Sequence, residues 1–282
     1  MEKTKIDWAD STWNPVTGCL HGCEYCYARA IAERFRERKG YEVNEDNTIF
    51  IHHFDGSPTI YELKEPCFFE EYDPFREKRN RDKIKAPYPY GFKPTLHRYR
   101  LNDYIGKKTR NIFVCSMADL FGEWVPDEWI FKVFSACMMA MQHNYLFLTK
   151  NPGRYIELAK QGMLPHTDNF WYGSSVTGPH DMYSWFSKDY QWFLSVEPLH
   201  EDLGEMDPDA EKPGWIIVGA ETGKRKEKII PQKEWVEKIK NQCEKYGIPL
   251  FMKSSLADIW APMPLVQQFP EKLKQEGERE NV

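Results

Sequence analysis

Residues 12–27 read Thr-Trp-Asn-Pro-Val-Thr-Gly-Cys-Leu-His-Gly-Cys-Glu-Tyr-Cys-Tyr: an extended run, a loop with three cysteines in eight positions, and the start of a helical period continued by Ala28, Ile31 and Phe35. Strand, loop and helix in that order open a βαβ unit. Beyond this stretch, apolar strand-like runs recur: FKPTLHRYRL (92–101), NIFVCS (111–116), YLFLTK (145–150), FWYGSSV (170–176), WFLSVEPL (192–199), WIIVGA (215–220) and IPLFMK (248–253). Helical periods fall between several of them, in Ile130, Val133, Phe134, Cys137 and Met141 and again in Trp235, Val236, Ile239 and Cys243. Pro126 followed by Asp127 and Glu128 marks a helix start, and Gly162 and Gly247 mark stops. The strands are too apolar to have a wet face, so the alternation predicts an α/β protein with a parallel (β/α) barrel, partial or full and TIM-like. An open doubly wound sheet is the alternative.

The 282 residues fit one barrel domain over 1–282, with 41–91 as the exception. No clear helical or strand period survives there, and we read it as a folded insertion or lid after the first helix. With 41% hydrophobic and 15% aromatic residues, the chain can bury a large core and is not a disordered protein. No apolar run approaches the roughly 20 residues that span a bilayer, and the polar start lacks the apolar stretch of a signal peptide, so no membrane partner and a cytoplasmic location are expected. Net charge is −5, yet Arg76–Arg110 holds twelve Lys and Arg against three acids. Its aromatic-basic part (Tyr88, Tyr90, Phe92, Arg98, Tyr99, Arg100, Lys107, Lys108, Arg110) could contact nucleic acid or form scaffold surface.

Seven cysteines in a reducing compartment point away from a disulfide framework. Cys19, Cys23 and Cys26, spaced by three residues and then two, suit a [4Fe–4S] cluster with one iron left open. Gly18 and Gly22 would let the backbone wrap it closely. The competing reading is zinc, with His21 as fourth ligand.

Cys-x3-Cys-x2-Cys with Tyr25 before the third cysteine resembles the signature of the radical S-adenosylmethionine superfamily, in its usual place after the first barrel strand. Trp13-Asn14-Pro15, Leu96-His97 with Arg100-Leu101, Phe113-Val114-x-Ser116-Met117-Ala118-Asp119-Leu120-Phe121, Leu148-Thr149-Lys150, Ser195-Val196-Glu197-Pro198-Leu199 and Gly219-x-Glu221-x-Gly223 are similar to an uncharacterised, phage-associated branch of three-cysteine proteins. Cys115 stands where that branch would have Asn. The resemblance implies a [4Fe–4S] cluster on the three cysteines whose open iron chelates S-adenosylmethionine. An electron from a flavodoxin or ferredoxin would then cleave the sulfonium to methionine and a 5′-deoxyadenosyl radical. The expected substrate is a nucleic acid base or nucleotide. The alternative function is a non-catalytic iron–sulfur or zinc-stapled protein that binds nucleic acid or a partner.

Other candidates fall at or just after the ends of candidate strands, where barrel enzymes place their sites. For the cofactor these are Tyr25, Ser116, Asp119, Lys150, Ser174, Ser175 and Glu197. Glu197, Glu221 and Lys253 are candidate catalytic residues, as is Cys115 as a hydrogen-atom donor, although an inert buried thiol is the simpler use of that residue. Glu197 and Glu221 each break an apolar run with a charge, which requires a partner. His52 and His53 are insertion residues without a ligand pattern.

Overall fold

The computed structural model describes residues 4–36, 47–51, 59–70, 83–181, 189–223 and 225–274; His52, His53 and much of 41–91 lie outside them. The chain divides into two compact units, one of residues 1–12, 107–114 and 140–282 and one of 13–106 and 115–139.

The first unit is built on a parallel, curled half-barrel sheet of seven strands, the coarser form of the expected barrel. Its order is β1 (Ser11–Trp13), β8 (Asn111–Val114), β9 (Asn144–Thr149), β10 (Phe170–Val176), β11 (Gln191–Val196), β12 (Ile216–Val218) and β13 (Leu250–Met252). The strands are apolar on both faces because both are covered. One face carries Phe113, Leu146, Trp171, Phe193, Ile217 and Phe251, which close around Trp8 and Trp215. Each buried indole removes roughly 150–250 Å² from water, about 4–6 kcal/mol at 25 cal/mol per Å². Gly173 makes room for this packing: a Cβ there would lie 2.3 Å from the Phe193 ring. On the other face, α3 (Gly153–Lys160) sets Tyr155 edge-on against Tyr172 of β10 and donates its hydroxyl to the Gly173 carbonyl at 3.2 Å. The helix α4 (Lys233–Tyr246) buries Val236, Ile239 and Cys243 and ends at the left-handed Gly247, as its sequence foretells. A short helix, α5 (Ala257–Trp260), follows β13.

The second unit holds α1 (Tyr27–Arg36), α2 (Asp127–Met138) and a four-stranded sheet ordered β2 (Val16–Thr17), β7 (Thr95–His97), β4 (Ile60–Leu63) and β3 (Thr48–Ile51). A hairpin of β5 (Phe68–Glu70) and β6 (Lys83–Lys85) completes it.

Three expectations need correction. The run at 12–18 is two strands rather than one: it divides at Asn14–Pro15, where proline removes a ladder donor, and β1 and β2 join different sheets. The run at 92–101 is not a barrel strand, because only Thr95–His97 is extended and it pairs antiparallel to β2 and parallel to β4. Residues 41–91, read as lacking strand periodicity, carry β3 to β6, each too short (three or four residues) for a period of two to register. Among the described residues no helix is long and apolar enough to cross a membrane.

Candidate functional site

The three-cysteine loop lies wholly in the second unit and is fastened at both ends. Gly18 N–H donates to the Met117 carbonyl at 2.8 Å, and Cys19 N–H to the Phe92 carbonyl at 3.2 Å. Only glycine fits at 18: its φ is +86°, and a Cβ would meet the Lys93 carbonyl oxygen at 2.2 Å. At the far end Cys26 immediately precedes α1, and its Sγ accepts the Arg29 N–H at 3.4 Å, the place of an N-cap acceptor. The Arg29 guanidinium donates to the Cys19 carbonyl at 3.3 Å and lies 4.9 Å over the Phe92 ring. All three thiols are free and half-buried, and Cys19 and Cys26 pack beside Ala28, Ala32, Phe92 and Met117. Burial pushes the Cys19 thiol up to about 12, so it is protonated until an electropositive group claims its sulfur.

The segment after β8 grips the middle of this loop. His21 Nε2 is hydrogen-bonded to Asp119 Oδ2 at 2.7 Å, and the Trp124 ring meets the imidazole edge-on at 4.9 Å. Asn14 Oδ1 accepts the Met117 N–H at 2.9 Å and the Ser116 hydroxyl at 3.2 Å, while Tyr27 donates its hydroxyl to the Ser116 carbonyl at 2.9 Å. Cys115 is 2% exposed with φ +60°, a left-handed backbone that Asn tolerates better than Cys. Burial raises its thiol to about 12.

Tyr25 lies within the cysteine loop of the second unit; the remaining candidates belong to the first unit, at the carboxyl edge of its sheet. Lys150 follows β9, Ser174 and Ser175 end β10, and Glu197 and Lys253 follow β11 and β13. Register pairs Val196 with Val218 and Val218 with Met252, so Glu197, Gly219 and Lys253 are the next residues on three adjacent strands. Lys253 is ion-paired to Glu197, with its stem over Gly219, where a Cβ would approach Lys253 Cδ to 3.0 Å. Glu221 takes both Nε and a terminal nitrogen of Arg225 at 2.8 Å, with His200 Nε2 3.6 Å away. The hydrogen bonds from Arg225 hold the Glu221 carboxyl below the usual carboxylate range. Glu197 and Glu221 thus both find their partners, Lys253 and Arg225, within the same unit.

Arg98, Arg100 and Tyr90 of the aromatic-basic stretch are committed internally. Arg98 pairs with the buried Glu62, which also accepts the Trp129 indole N–H at 2.7 Å. Arg100 donates to the carbonyls of Asn14 and Pro87 at 2.9 and 3.0 Å. Tyr90 stacks on Tyr61 at 3.9 Å. Lys107, Lys108 and Arg110 belong to the other unit.

Residue chemistry suits an iron–sulfur group. Three soft thiols from one loop, glycine where the backbone approaches closely, and a helix N-terminus behind Cys26 are what such a group requires. Beside His21, the buried Trp124 Nε1 lacks an acceptor among the described residues, leaving a donor for a sulfur or other acceptor. No set of three or more His, Cys, Asp or Glu among the described residues converges as a single metal ion would need. The thiolates of a [4Fe–4S] cluster each bind a different iron and need not converge in that way.

A family model for a protein of unknown function (DUF5131) matches residues 3–274. No curated protein and no solved structure matches the chain.

Proposed function

The chain belongs to the DUF5131 family of proteins of unknown function, and from its cysteine loop we propose that it is a radical S-adenosylmethionine enzyme whose cluster is held by Cys19, Cys23 and Cys26. The observation that carries the reading is the loop itself: three half-buried free cysteines at the Cys-x3-Cys-x2-Cys spacing, in a loop that runs directly into α1 with the Cys26 Sγ at its N-cap position. When bound, a [4Fe–4S] group with one open iron would supply the electron, drawn from a flavodoxin or ferredoxin, that cleaves the sulfonium of S-adenosylmethionine.

The chain's own residues do the holding. Gly18 brings the backbone against Lys93, Arg29 ties Cys19 to Phe92, and the α1 N-terminus offers an N–H to Cys26. The substrate class stays open, since Arg98 and Arg100 spend their donors within the protein.

One observation favours a second reading: a His21 imidazole held by Asp119 is the arrangement of a zinc-ligating histidine with its carboxylate partner. Anaerobically reconstituted, dithionite-reduced protein should turn S-adenosylmethionine into 5′-deoxyadenosine, and the alanine variants of the three cysteines should not. Iron uptake without binding or cleavage of S-adenosylmethionine would make the group a structural staple.

A further inference from the structure

Within the span between the first two cysteines there is a local tie, from the His21 backbone N–H to the Cys19 sulfur. Gly22 sits at φ +72° with nothing within 4 Å of where its Cβ would be. His21 is the residue in this span that reaches out of the loop, and both of its partners belong to one well-anchored segment. Asp119 uses Oδ2 for His21 and Oδ1 for the Phe121 N–H at 3.0 Å. Phe121 and Leu120 are fully buried, and Asn14 fastens Met117. Trp124 lies flush on Gly122, where a Cβ would meet the indole at 2.4 Å. The side chain of His21 is 22% exposed and that of Asp119 is 7% exposed, so the bond between them is shielded from water.

We propose that His21 is a positioning residue: gripped by Asp119 and Trp124, it holds the Cys19–Cys23 span in its ligating shape before any metal group arrives. Asp119 then acts through His21 rather than by touching a cofactor. Loop ordering is completed on folding, so the entropy of fixing the span is not charged against cluster binding. The part of this inference that concerns the cluster rests on the function proposed above; the part that concerns the metal-free loop does not.

Both parts are tested with the full chain. Amide hydrogen exchange of peptides covering 18–26 is measured on metal-free, reduced protein for wild type, His21→Ala, Asp119→Ala and the double variant. Exchange should quicken in either single variant, and the double should exchange no faster than His21→Ala, because once the imidazole is gone Asp119 has no further hold on the span. Asp119→Asn keeps an acceptor oxygen for the Phe121 N–H and turns an amide donor to the His21 nitrogen, should recover most of the protection, and serves where Asp119→Ala does not fold. On reconstituted protein, His21→Ala should lose iron to a chelator about 10–100-fold faster, the range that partners behind metal ligands command. Unchanged exchange in His21→Ala overturns the proposal, as do additive effects in the double variant. Wild type that takes up no iron overturns the function instead, and the exchange series then judges the clamp alone.

Discussion

Gly18→Ala is the sharpest perturbation of the cysteine loop. Two costs add: alanine at φ +86° carries about 1–2 kcal/mol of left-handed strain. A methyl 2.2 Å from the Lys93 carbonyl oxygen, a backbone atom that cannot rotate away, adds about 1–3 kcal/mol of overpacking. The sum is about 2–5 kcal/mol. Gly22→Ala is the internal control, because its φ is also positive but its Cβ position is open, so only the strain of about 1–2 kcal/mol remains. Gly247→Ala, likewise unobstructed at φ +66°, gives the same strain at the end of α4. Urea unfolding of the reduced, metal-free proteins, followed by near- and far-ultraviolet circular dichroism together, reads the three values and reveals separate unfolding of the two units. A Gly18→Ala cost no larger than that of Gly22→Ala would mean that Lys93 does not sit against the loop, and the seating of Cys19 beside Phe92 would fall with it.

Glu62→Ala should cost about 1–3 kcal/mol in the same assay, because it strands the buried Trp129 indole N–H while Arg98, whose side chain is 40% exposed, can turn to water; Glu62→Gln, which keeps an acceptor for that N–H, should cost less, about 0.5–1.5 kcal/mol. Equal costs would show that the Trp129 N–H does not depend on that acceptor. Cys115 sets a pH dependence: with its folded thiol at about 12 against 9.0 for an ordinary thiol, the folded state keeps a proton that the unfolded chain loses. Its contribution is therefore complete below about pH 9 and falls by about 1.4 kcal/mol per pH unit as pH rises toward 12. Cys115→Ala should flatten the alkaline limb of unfolding free energy by that slope, and an unchanged limb would place the thiol in contact with water.

The parallel sheet was legible because its strands are apolar on both faces, a pattern that a string of residues carries without knowledge of contacts. The cysteine loop was visible for a related reason: its three cysteines are neighbours in sequence, so their spacing could be read without knowledge of contacts. What the string could not carry are partners distant along it. Asp119 lies 98 residues from His21, and Lys253 lies 56 residues from Glu197. The charges of Glu197 and Glu221 signalled that partners must exist, and the structure supplies them as Lys253 and Arg225. Asn14 was visible only as part of a motif, and its function, an acceptor for Met117 and Ser116, belongs to the fold. The short strands of 41–91 were silent because three or four residues cannot display a period.

The claim on which the rest depends is that the 19–26 loop holds an iron–sulfur cluster. Iron, sulfide and zinc should be counted on anaerobically reconstituted protein, with Cys19→Ala, Cys23→Ala and Cys26→Ala alongside. The expected result is about four irons and about four sulfides per chain in wild type, lost in each variant. About one tightly held zinc per chain, with no iron or sulfide taken up, would contradict it and establish the loop as a zinc staple.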